Sequence, residues 1–277
     1  MKKRYLLMIL ITFTLLMMLI LQGCGAVKTA PIEIERVQCL VADDKNITRI
    51  NEQVMGGTLV EPVTIRIMKF SPKKYISRYP SGKLQSGYLA DETKINGLNF
   101  AADKSIQFFE SGRVSVGTLA GATKIGAIQY KADSEIKLDE QGKVITGILD
   151  EETEIFDKSR SGISLYYAGG HSISFKSDKV IAGTLAHNIG AWGMNLPRFT
   201  DVKFYPSGKL AYVGNSHTSE SVQRYFIKYK LSSGLSFYEN GNVLSGTVAE
   251  KTVIDGKTIA RDTTIILDEA GRLKKTN

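Results

Sequence analysis

The sequence has few cysteines, prolines and histidines, and it lacks several patterns that indicate a particular class of function. Its 277 residues include two cysteines, six prolines and three histidines. No block of lysine and arginine argues for a nucleic-acid partner, and no segment after the N-terminus is long and apolar enough to span a bilayer. The few prolines beside 26 glycines predict an ordered chain with many turns.

Chemical motifs are missing as well. His171, His187 and His217 stand far apart, and none has the spacing to another histidine or a cysteine that a zinc signature requires. The sequence has no Gly-x-Ser-x-Gly elbow, no phosphate loop and no calcium loop. We therefore expect no catalytic residue, no metal and no cofactor.

The N-terminal residues predict a compartment. A positive stretch, Lys2 to Arg4, precedes an apolar run from Tyr5 to Leu21, which is the order of a secretory signal. The run is nearly long enough for a retained membrane helix, but it ends in Leu21-Gln22-Gly23-Cys24, which resembles the lipobox of bacterial lipoproteins. The resemblance implies that the signal is removed before Cys24. In that family the cysteine thiol receives a diacylglycerol before this cut, and the new amine is then acylated with a fatty acid such as palmitate.

Two or more acyl chains hold a protein stably on a membrane, so membrane lipid is the first expected partner. By the same resemblance, Gly25 in place of the aspartate that often means inner-membrane retention favours the outer membrane in a cell with two. The chain then divides into a signal peptide (1–23), a lipidated N-terminus with a short tether (24–36) and a β-repeat domain (37–277).

Loss of the signal also changes the charge and the cysteine count. It removes three of the 36 basic residues and none of the 28 acidic ones, which lowers the net charge from +8 to +5. Such a modest excess is typical of a solvated surface that favours an anionic or mixed-charge partner only weakly. Cys39 is then the one cysteine without a lipid, and the alternating stretch Val37 to Val41 favours its burial in a strand over a reactive thiol.

The most informative pattern is an internal repeat. The stretch FYPSGKL at 204–210 returns as FYENGNV at 237–243. The apolar residues that follow the turn are Val54, Leu84, Val114, Val144, Val180, Leu210, Val243 and Leu273. Their spacings are 30, 30, 30, 36, 30, 33 and 30 residues; most copies continue with Gly-x-Leu, and four copies then have Thr-x-Ile, which begins at Thr93, Thr123, Thr153 and Thr252.

Each copy predicts a hairpin corner. In FYPSGKL, Pro206 and Ser207 suit the two corners of a type I turn, and Gly208 supplies the left-handed residue of a three-residue hairpin with a glycine bulge. The copy with Asp178 in the glycine place should turn differently. Short alternating stretches, such as 98–100 and 106–108, complete about four strands per unit. One unit buries too little surface alone, so neighbouring units must complete a shared core.

The Tyr-x-x-Gly-Lys-Leu turn with a following Gly-x-Leu, as at Tyr205–Leu210, resembles bacterial repeats related to membrane occupation and recognition nexus (MORN) repeats. The resemblance covers the hairpin half of each unit and implies β-hairpin sheets that serve in binding or scaffolding. We predict an all-β fold, an elongated open array of about eight hairpin repeats of ~30 residues, with a closed seven-bladed propeller as the alternative.

Two stretches break the repeat, Ala186–Pro197 and Gly214–Arg224. The first contains Trp192, the only tryptophan, and the second contains His217. We expect both residues to contact a partner, although a lone tryptophan also serves to fill a gap in a core. The predicted function is that of a membrane-anchored, extracytoplasmic lipoprotein that binds or scaffolds an envelope or extracellular protein or a polysaccharide. The alternative is an envelope-located hydrolase with a site assembled across repeats.

Overall fold

The computed structural model describes residues 27–156, 164–215 and 218–277. Cys24, the signal segment and His217 lie outside these residues. The described chain is all-β apart from one 3-10 helix, Leu231–Ser233, and none of it forms a helix long and apolar enough to cross a bilayer. The chain divides into two compact units, Met1–Gly87 and Tyr88–Asn277.

The first unit carries an N-terminal hairpin, one short hairpin and four strands of a larger sheet. Its strands are β1 (Thr29–Ile34), β2 (Val37–Ala42), β3 (Thr48–Ile50), β4 (Gln53–Thr58), β5 (Val63–Ile65), β6 (Met68–Phe70), β7 (Tyr75–Arg78) and β8 (Leu84–Tyr88). The hairpins are β1–β2 and β5–β6, and the sheet order is β3-β4-β7-β8.

The N-terminal hairpin changes one predicted boundary. β1 pairs with β2 along its whole length, from Thr29 opposite Ala42 to Ile34 opposite Val37. Regular structure therefore starts inside the segment that the sequence assigned to a tether. Cys39 lies in β2 with 4% of its surface exposed, and burial raises the pKa of its thiol. The predicted burial of Cys39 is confirmed.

The second unit repeats one plan, in which a short hairpin is followed by a long hairpin. Its strands are β9 (Thr93–Ile95), β10 (Leu98–Phe100), β11 (Ser105–Phe108), β12 (Val114–Thr118), β13 (Thr123–Ile125), β14 (Ile128–Tyr130), β15 (Glu135–Leu138), β16 (Val144–Ile148), β17 (Thr153–Phe156), β18 (Ser164–Tyr167), β19 (Ser172–Lys176), β20 (Lys179–Thr184), β21 (Ile189–Ala191), β22 (Met194–Leu196), β23 (Asp201–Phe204), β24 (Leu210–Gly214), β25 (Ser221–Arg224), β26 (Ile227–Lys230), β27 (Leu235–Phe237), β28 (Val243–Thr247), β29 (Thr252–Ile254), β30 (Lys257–Ile259), β31 (Thr264–Leu267) and β32 (Leu273–Thr276).

In the second unit the long hairpins build an antiparallel sheet of twelve strands that follow one another in chain order, from β11 and β12 to β31 and β32. The sheet is open, and its last strand, β32, has β31 as its neighbour and exposes Lys274 and Lys275. The predicted all-β open array of hairpins is confirmed, and the described residues do not form the closed propeller. Two of the four strands in each repeat lie in this sheet, and the other two form the separate short hairpin.

The long hairpins turn as the repeated glycine predicts. In the turn that begins at Tyr205, its N–H donates to the carbonyl of Lys209 at 2.8 Å, and the N–H of Gly208 donates to the carbonyl of Tyr205 at 2.8 Å. The left-handed glycines have φ angles of 81° to 89° and are Gly82, Gly112, Gly142, Gly208, Gly241 and Gly271. The prediction that the copy with Asp178 turns differently is also confirmed. Ser177 and Asp178 both have a left-handed φ and form a two-residue corner.

Each short hairpin packs on the sheet through an apolar residue near its end. Phe100 forms a bridge with Leu119, and its ring lies on Gly117, where a Cβ would stand 2.5 Å from ring Cδ1. The same contact of ring on glycine recurs as Tyr130 on Gly147, Tyr167 on Gly183 and Tyr229 on Gly246. The recurring Gly-x-Leu of the sequence is therefore a packing signal.

One copy varies both members of this contact together. Its sheet strand β24 has Val213 at the place of the glycine, and its short hairpin has Leu196 at the place of the aromatic ring. Both side chains are buried. A larger sheet residue thus accompanies a smaller hairpin residue, which keeps the volume of the layer nearly constant.

Candidate functional site

Trp192 does not lie in an irregular loop. Ala186–Pro197 contains the regular short hairpin β21–β22, in which Ile189 pairs with Leu196 and Ala191 with Met194. Trp192 and Gly193 are the two turn residues, with φ of 51° and 70°, as Asn96 and Gly97 are in another hairpin with φ of 51° and 87°. The predicted break in the repeat is wrong here, because a Trp-Gly turn follows the same backbone path as Asn-Gly.

The second predicted break is regular over half of its length. β25 and β26 form a short hairpin whose turn residues are Tyr225 and Phe226, with φ of 50° and 68°. The segment before it, residues 218–220, contains no strand. His217 lies outside the described residues, so its predicted contact stays a prediction.

A groove of about 940 Å³ lies between these two neighbouring hairpins, where β22 contacts β25. We call it the aromatic groove. Its principal lining residues are Trp192, Asn195, Gln223, Arg224, Tyr225 and Phe226. The groove therefore includes one of the two predicted contact residues, Trp192, and two residues of the predicted stretch Gly214–Arg224, Gln223 and Arg224. Tyr225 and Phe226 lie outside both predicted stretches.

Arg224 joins three turns at the floor of the aromatic groove. Its Nη1 donates to the carbonyl of Trp192 at 2.6 Å, and its Nη2 donates to the carbonyl of Gly241 at 3.2 Å. A Cβ on Gly193 would collide with Nη1, so any other residue at this position would force the guanidinium to shift. Arg224 Nε is buried and has no hydrogen-bond partner among the described residues. The guanidinium thus fixes the positions of both hairpin tips.

The aromatic rings are held from below. The guanidinium of Arg224 lies 4.2 Å from the ring centroid of Tyr225 and donates to its hydroxyl at 3.0 Å, and that hydroxyl donates to Oδ1 of Asn242 at 3.3 Å. The ring of Trp192 packs on Phe204 with centroids 5.7 Å apart. Tyr225 still exposes 56% of its surface and Phe226 95%. The exposed ring of Tyr225 and the half-buried ring of Trp192, both held in place, therefore flank the groove, and the exposed Phe226 stands beside them.

The backbone at these aromatics is unfavourable for their residue type. A left-handed φ suits glycine, asparagine and aspartate, and for a bulky side chain it costs on the order of 1 kcal/mol or more. Asn96-Gly97 and Asp255-Gly256 occupy the same corner in other copies. Phe226 recovers little of this cost by packing, since it is almost fully exposed. Residues that burden the fold without packing into it are candidates for contact with a ligand.

A second cavity, of about 770 Å³, lies at the other end of the β21–β22 hairpin. Phe199 is left-handed with φ of 62°, where other copies have Asp103 or Asp133, and its ring stacks on His171 with centroids 5.6 Å apart. We call this the polar cavity, because its lining includes the carboxylates of Asp201 and Glu220.

Hydrogen bonds in the polar cavity do not link its histidine to an acid. Asp201 accepts from the hydroxyl of Thr184 at 2.6 Å, and among the described residues His171 has no hydrogen bond to a carboxylate. Burial, together with the charge of Asp201, raises the pKa of the nearby Tyr212. Within the described segments, no group of three or more histidine, cysteine, aspartate or glutamate side chains could hold a metal ion.

His187 makes an exposed pair elsewhere. Its Nε2 lies 2.8 Å from Oε1 of Glu152, and its ring meets the edge of Tyr166 at 5.3 Å between centroids. Negative charge from Glu154 raises the pKa of Tyr166. This cluster lies on an open surface and lines neither cavity.

One feature of the sequence could have identified Tyr225 and Phe226 as candidate site residues. The corner after Thr-x-Ile is Asn-Gly or Asp-Gly in two copies, and the Tyr225-Phe226 pair stands out only when it is aligned with that corner. The partner of Arg224 is a main-chain carbonyl, which no side-chain pattern reveals. In comparison with known proteins, the chain matches no protein-family model and no curated protein.

Proposed function

We propose that this chain is a lipid-anchored, extracytoplasmic binding module that contacts its partner through the aromatic groove. The observation that carries the proposal is the placement of Tyr225 and Phe226, two exposed aromatics in a left-handed corner that is Asn96-Gly97 or Asp255-Gly256 in two other copies. Exposed, preorganised aromatic side chains supply much of the energy at binding surfaces. The repeats provide the rigid support for these corners.

The anchor is proposed from the lipobox at Leu21–Cys24. Cys24→Ala removes the thiol that would carry the diacylglycerol, so we expect the variant to remain an unprocessed precursor. Wild-type protein should partition into detergent and incorporate a labelled fatty acid, and the variant should not incorporate the label. A variant that is processed and labelled like the wild type would rule out the anchor. Neither outcome of this experiment tests binding at the aromatic groove.

Binding is tested by placing a photo-crosslinking amino acid on the full-length chain in its host. Position 226 reports on the aromatic groove. Position 253 is the matched control, because Val253 is also exposed, at 63%, and also belongs to a short hairpin of the second unit. We expect a discrete crosslinked product from position 226 and none from position 253. Equal products from both positions, or no product from either, would contradict the proposal.

The polar cavity supports a second candidate, a hydrolase. It is the described cavity that gathers a histidine with carboxylates, although no hydrogen bond links them. This candidate requires that a hydrolytic activity of the purified chain be abolished by His171→Ala and by Asp201→Asn, with unchanged melting temperature. A full activity in both variants would exclude the polar cavity as its site.

A further inference from the structure

We propose that the aromatic groove binds a neutral polysaccharide chain, with sugar rings stacked on Tyr225 and Trp192 and sugar hydroxyls bound by Asn195 and Gln223. This inference rests on the proposed binding function and names the chemistry of its ligand. Four properties of the groove carry it: fixed ring faces, unpaired amides, a cation that is already engaged, and open ends.

The ring faces come first. The guanidinium of Arg224 covers one face of the Tyr225 ring. The Tyr225 hydroxyl accepts a hydrogen bond from Arg224 and donates one to Asn242. The ring therefore cannot turn freely, and its remaining surface is a flat apolar plate. The negative face of an aromatic ring attracts the weakly positive C–H groups on one side of a pyranose ring. A plate that is fixed before binding costs little entropy when the sugar arrives.

The amides come second. Asn195 and Gln223 line the groove and are exposed, and their side chains make no hydrogen bond to other described residues. Each amide offers a carbonyl acceptor and an NH₂ donor on one plane. Adjacent sugar hydroxyls donate and accept in the same way, so a pair of hydroxyls can satisfy one amide completely. A purely apolar partner would leave both amides unpaired.

The charges favour a neutral chain. Arg224 is committed to the carbonyls of Trp192 and Gly241, so it offers little to an incoming anion. Lys228 also lines the groove, and its Nζ lies 4.0 Å from Oε2 of Glu250. Recognition of phosphates or acidic sugars normally uses several uncommitted cations on one face. The groove does not present such a cluster among its described residues.

The openness of the groove favours a chain over a single sugar. Pockets for small ligands enclose most of the ligand surface. Here the walls are two hairpin tips, and Phe226 at the rim is 95% exposed. One sugar ring would bury little surface in such a place. Several linked rings, which stack on Tyr225 and reach Trp192, would bury enough for specific binding.

Trp192 makes the inference directly measurable. It is the only tryptophan of the chain and it lines the groove, so tryptophan fluorescence reports on this site alone. The full-length protein in detergent is titrated with soluble neutral polysaccharides (a β-glucan, a xylan, a galactomannan and a dextran) and with polygalacturonate as the acidic counterpart. We expect a saturable shift of the emission with at least one neutral polysaccharide and none with polygalacturonate.

The decisive variant replaces the strained corner by the corner of another copy, Tyr225→Asn with Phe226→Gly. It keeps Trp192 as the reporter, and we expect the affinity to fall about tenfold or more. Val253→Ala is the matched control and should bind like the wild type. The melting temperature of each protein verifies that it is folded. Failure of every neutral polysaccharide to change the emission, a response to polygalacturonate alone, or full affinity in the corner variant would each overturn the inference.

The crosslinking experiment separates this failure from that of the proposed function. Suppose that a protein is crosslinked specifically at position 226 and that no polysaccharide shifts the tryptophan emission. This result would refute the polysaccharide ligand and would support a binding module with a protein partner. Silent fluorescence without any specific crosslink would refute both.

Discussion

Phe100 lies so close to Gly117 that a Cβ on the glycine would stand 2.5 Å from Cδ1 of the ring. Real Cβ atoms do not approach a ring carbon so closely, and the ring is buried with little room to move. In the repeats that carry this pair, the glycine is thus required by the aromatic residue of the preceding short hairpin. This pairing links the two kinds of hairpin and makes a direct prediction for stability.

Gly117→Ala should lower the free energy of unfolding by about 2 kcal/mol, because the added methyl group overpacks the contact with Phe100. Urea unfolding followed by circular dichroism measures the loss. Gly121→Ala is the control, since nothing lies within 4 Å of a Cβ at that glycine, and it should change the stability by less than about 0.5 kcal/mol.

The copy with Val213 and Leu196 predicts a rescue. Phe100→Leu combined with Gly117→Val should be more stable than the sum of the two single changes predicts, because the smaller side chain makes room for the larger one. The same unfolding assay on the four proteins of the cycle gives the coupling energy. Strict additivity would show that the two positions do not sense each other.

Gly112→Val tests the turn. Its φ of 86° lies where a β-branched residue is strained, and we expect a loss of about 1 kcal/mol or more. Gly112→Asn should lose less, because asparagine tolerates the left-handed region. Thermal melting of both variants suffices, and equal losses would mean that volume, not φ, limits this position.

Phe226→Gly should stabilise the protein by about 1 kcal/mol while it weakens ligand binding. The change relieves the backbone strain at φ of 68° and removes a side chain that is 95% exposed; part of the gain is offset by the greater freedom of glycine in the unfolded chain. Val253→Ala should leave the stability nearly unchanged. A destabilised Phe226→Gly protein would indicate that the phenylalanine supports the fold.

High pH should destabilise the core through two buried phenols. Burial raises the pKa of Tyr130 and of Tyr229 to about 12, whereas in the unfolded chain tyrosine ionises near pH 10. Below pH 10 both states are protonated and the contribution is intact; between pH 10 and 12 the unfolded state loses its protons first, so stability falls. The expected loss is on the order of 1 to 3 kcal/mol.

Replacement of both phenols separates this effect from general alkaline damage. Tyr130→Phe with Tyr229→Phe should unfold with a flatter dependence on pH between 10 and 12, because no proton is released there. Phenylalanine fits the place, as Phe100 in the equivalent position of another copy demonstrates. Identical pH profiles for the variant and the wild type would place the sensitivity elsewhere.

The turns of the fold could be predicted from the sequence, because their backbone angles require particular residue types. Gly208 needed a left-handed φ, and its recurrence gave the corners and the number of hairpins. The separation of each repeat into sheet strands and a short hairpin was not visible, because Leu98–Phe100 and Ile106–Phe108 alternate in the same way. Only the contact of Phe100 with Gly117 distinguishes the two layers.

The candidate site was half predictable. Trp192 stood out because it is the only tryptophan, but its surroundings were read as irregular, since an aromatic residue in a left-handed corner is rare. Tyr225 and Phe226 were not identified from the sequence, because aromatic residues are typical of strands and not of left-handed corners. Arg224 acts through main-chain carbonyls, which have no signature in side-chain order. Long-range contacts of this kind arise only when the neighbouring repeats are packed together.

The edge strand β32 affects how two copies of the chain can associate. β32 has β31 as its neighbour, and a strand with an unpaired side can in principle accept a strand from another molecule. Lys274 and Lys275 are exposed there, and two such edges would bring four ammonium groups together on contact. Charge reversal by Lys275→Glu in a second population should permit mixed association that sedimentation would detect. In the natural chain, we expect the mutual repulsion of these lysines to disfavour pairing between the β32 edges of two molecules.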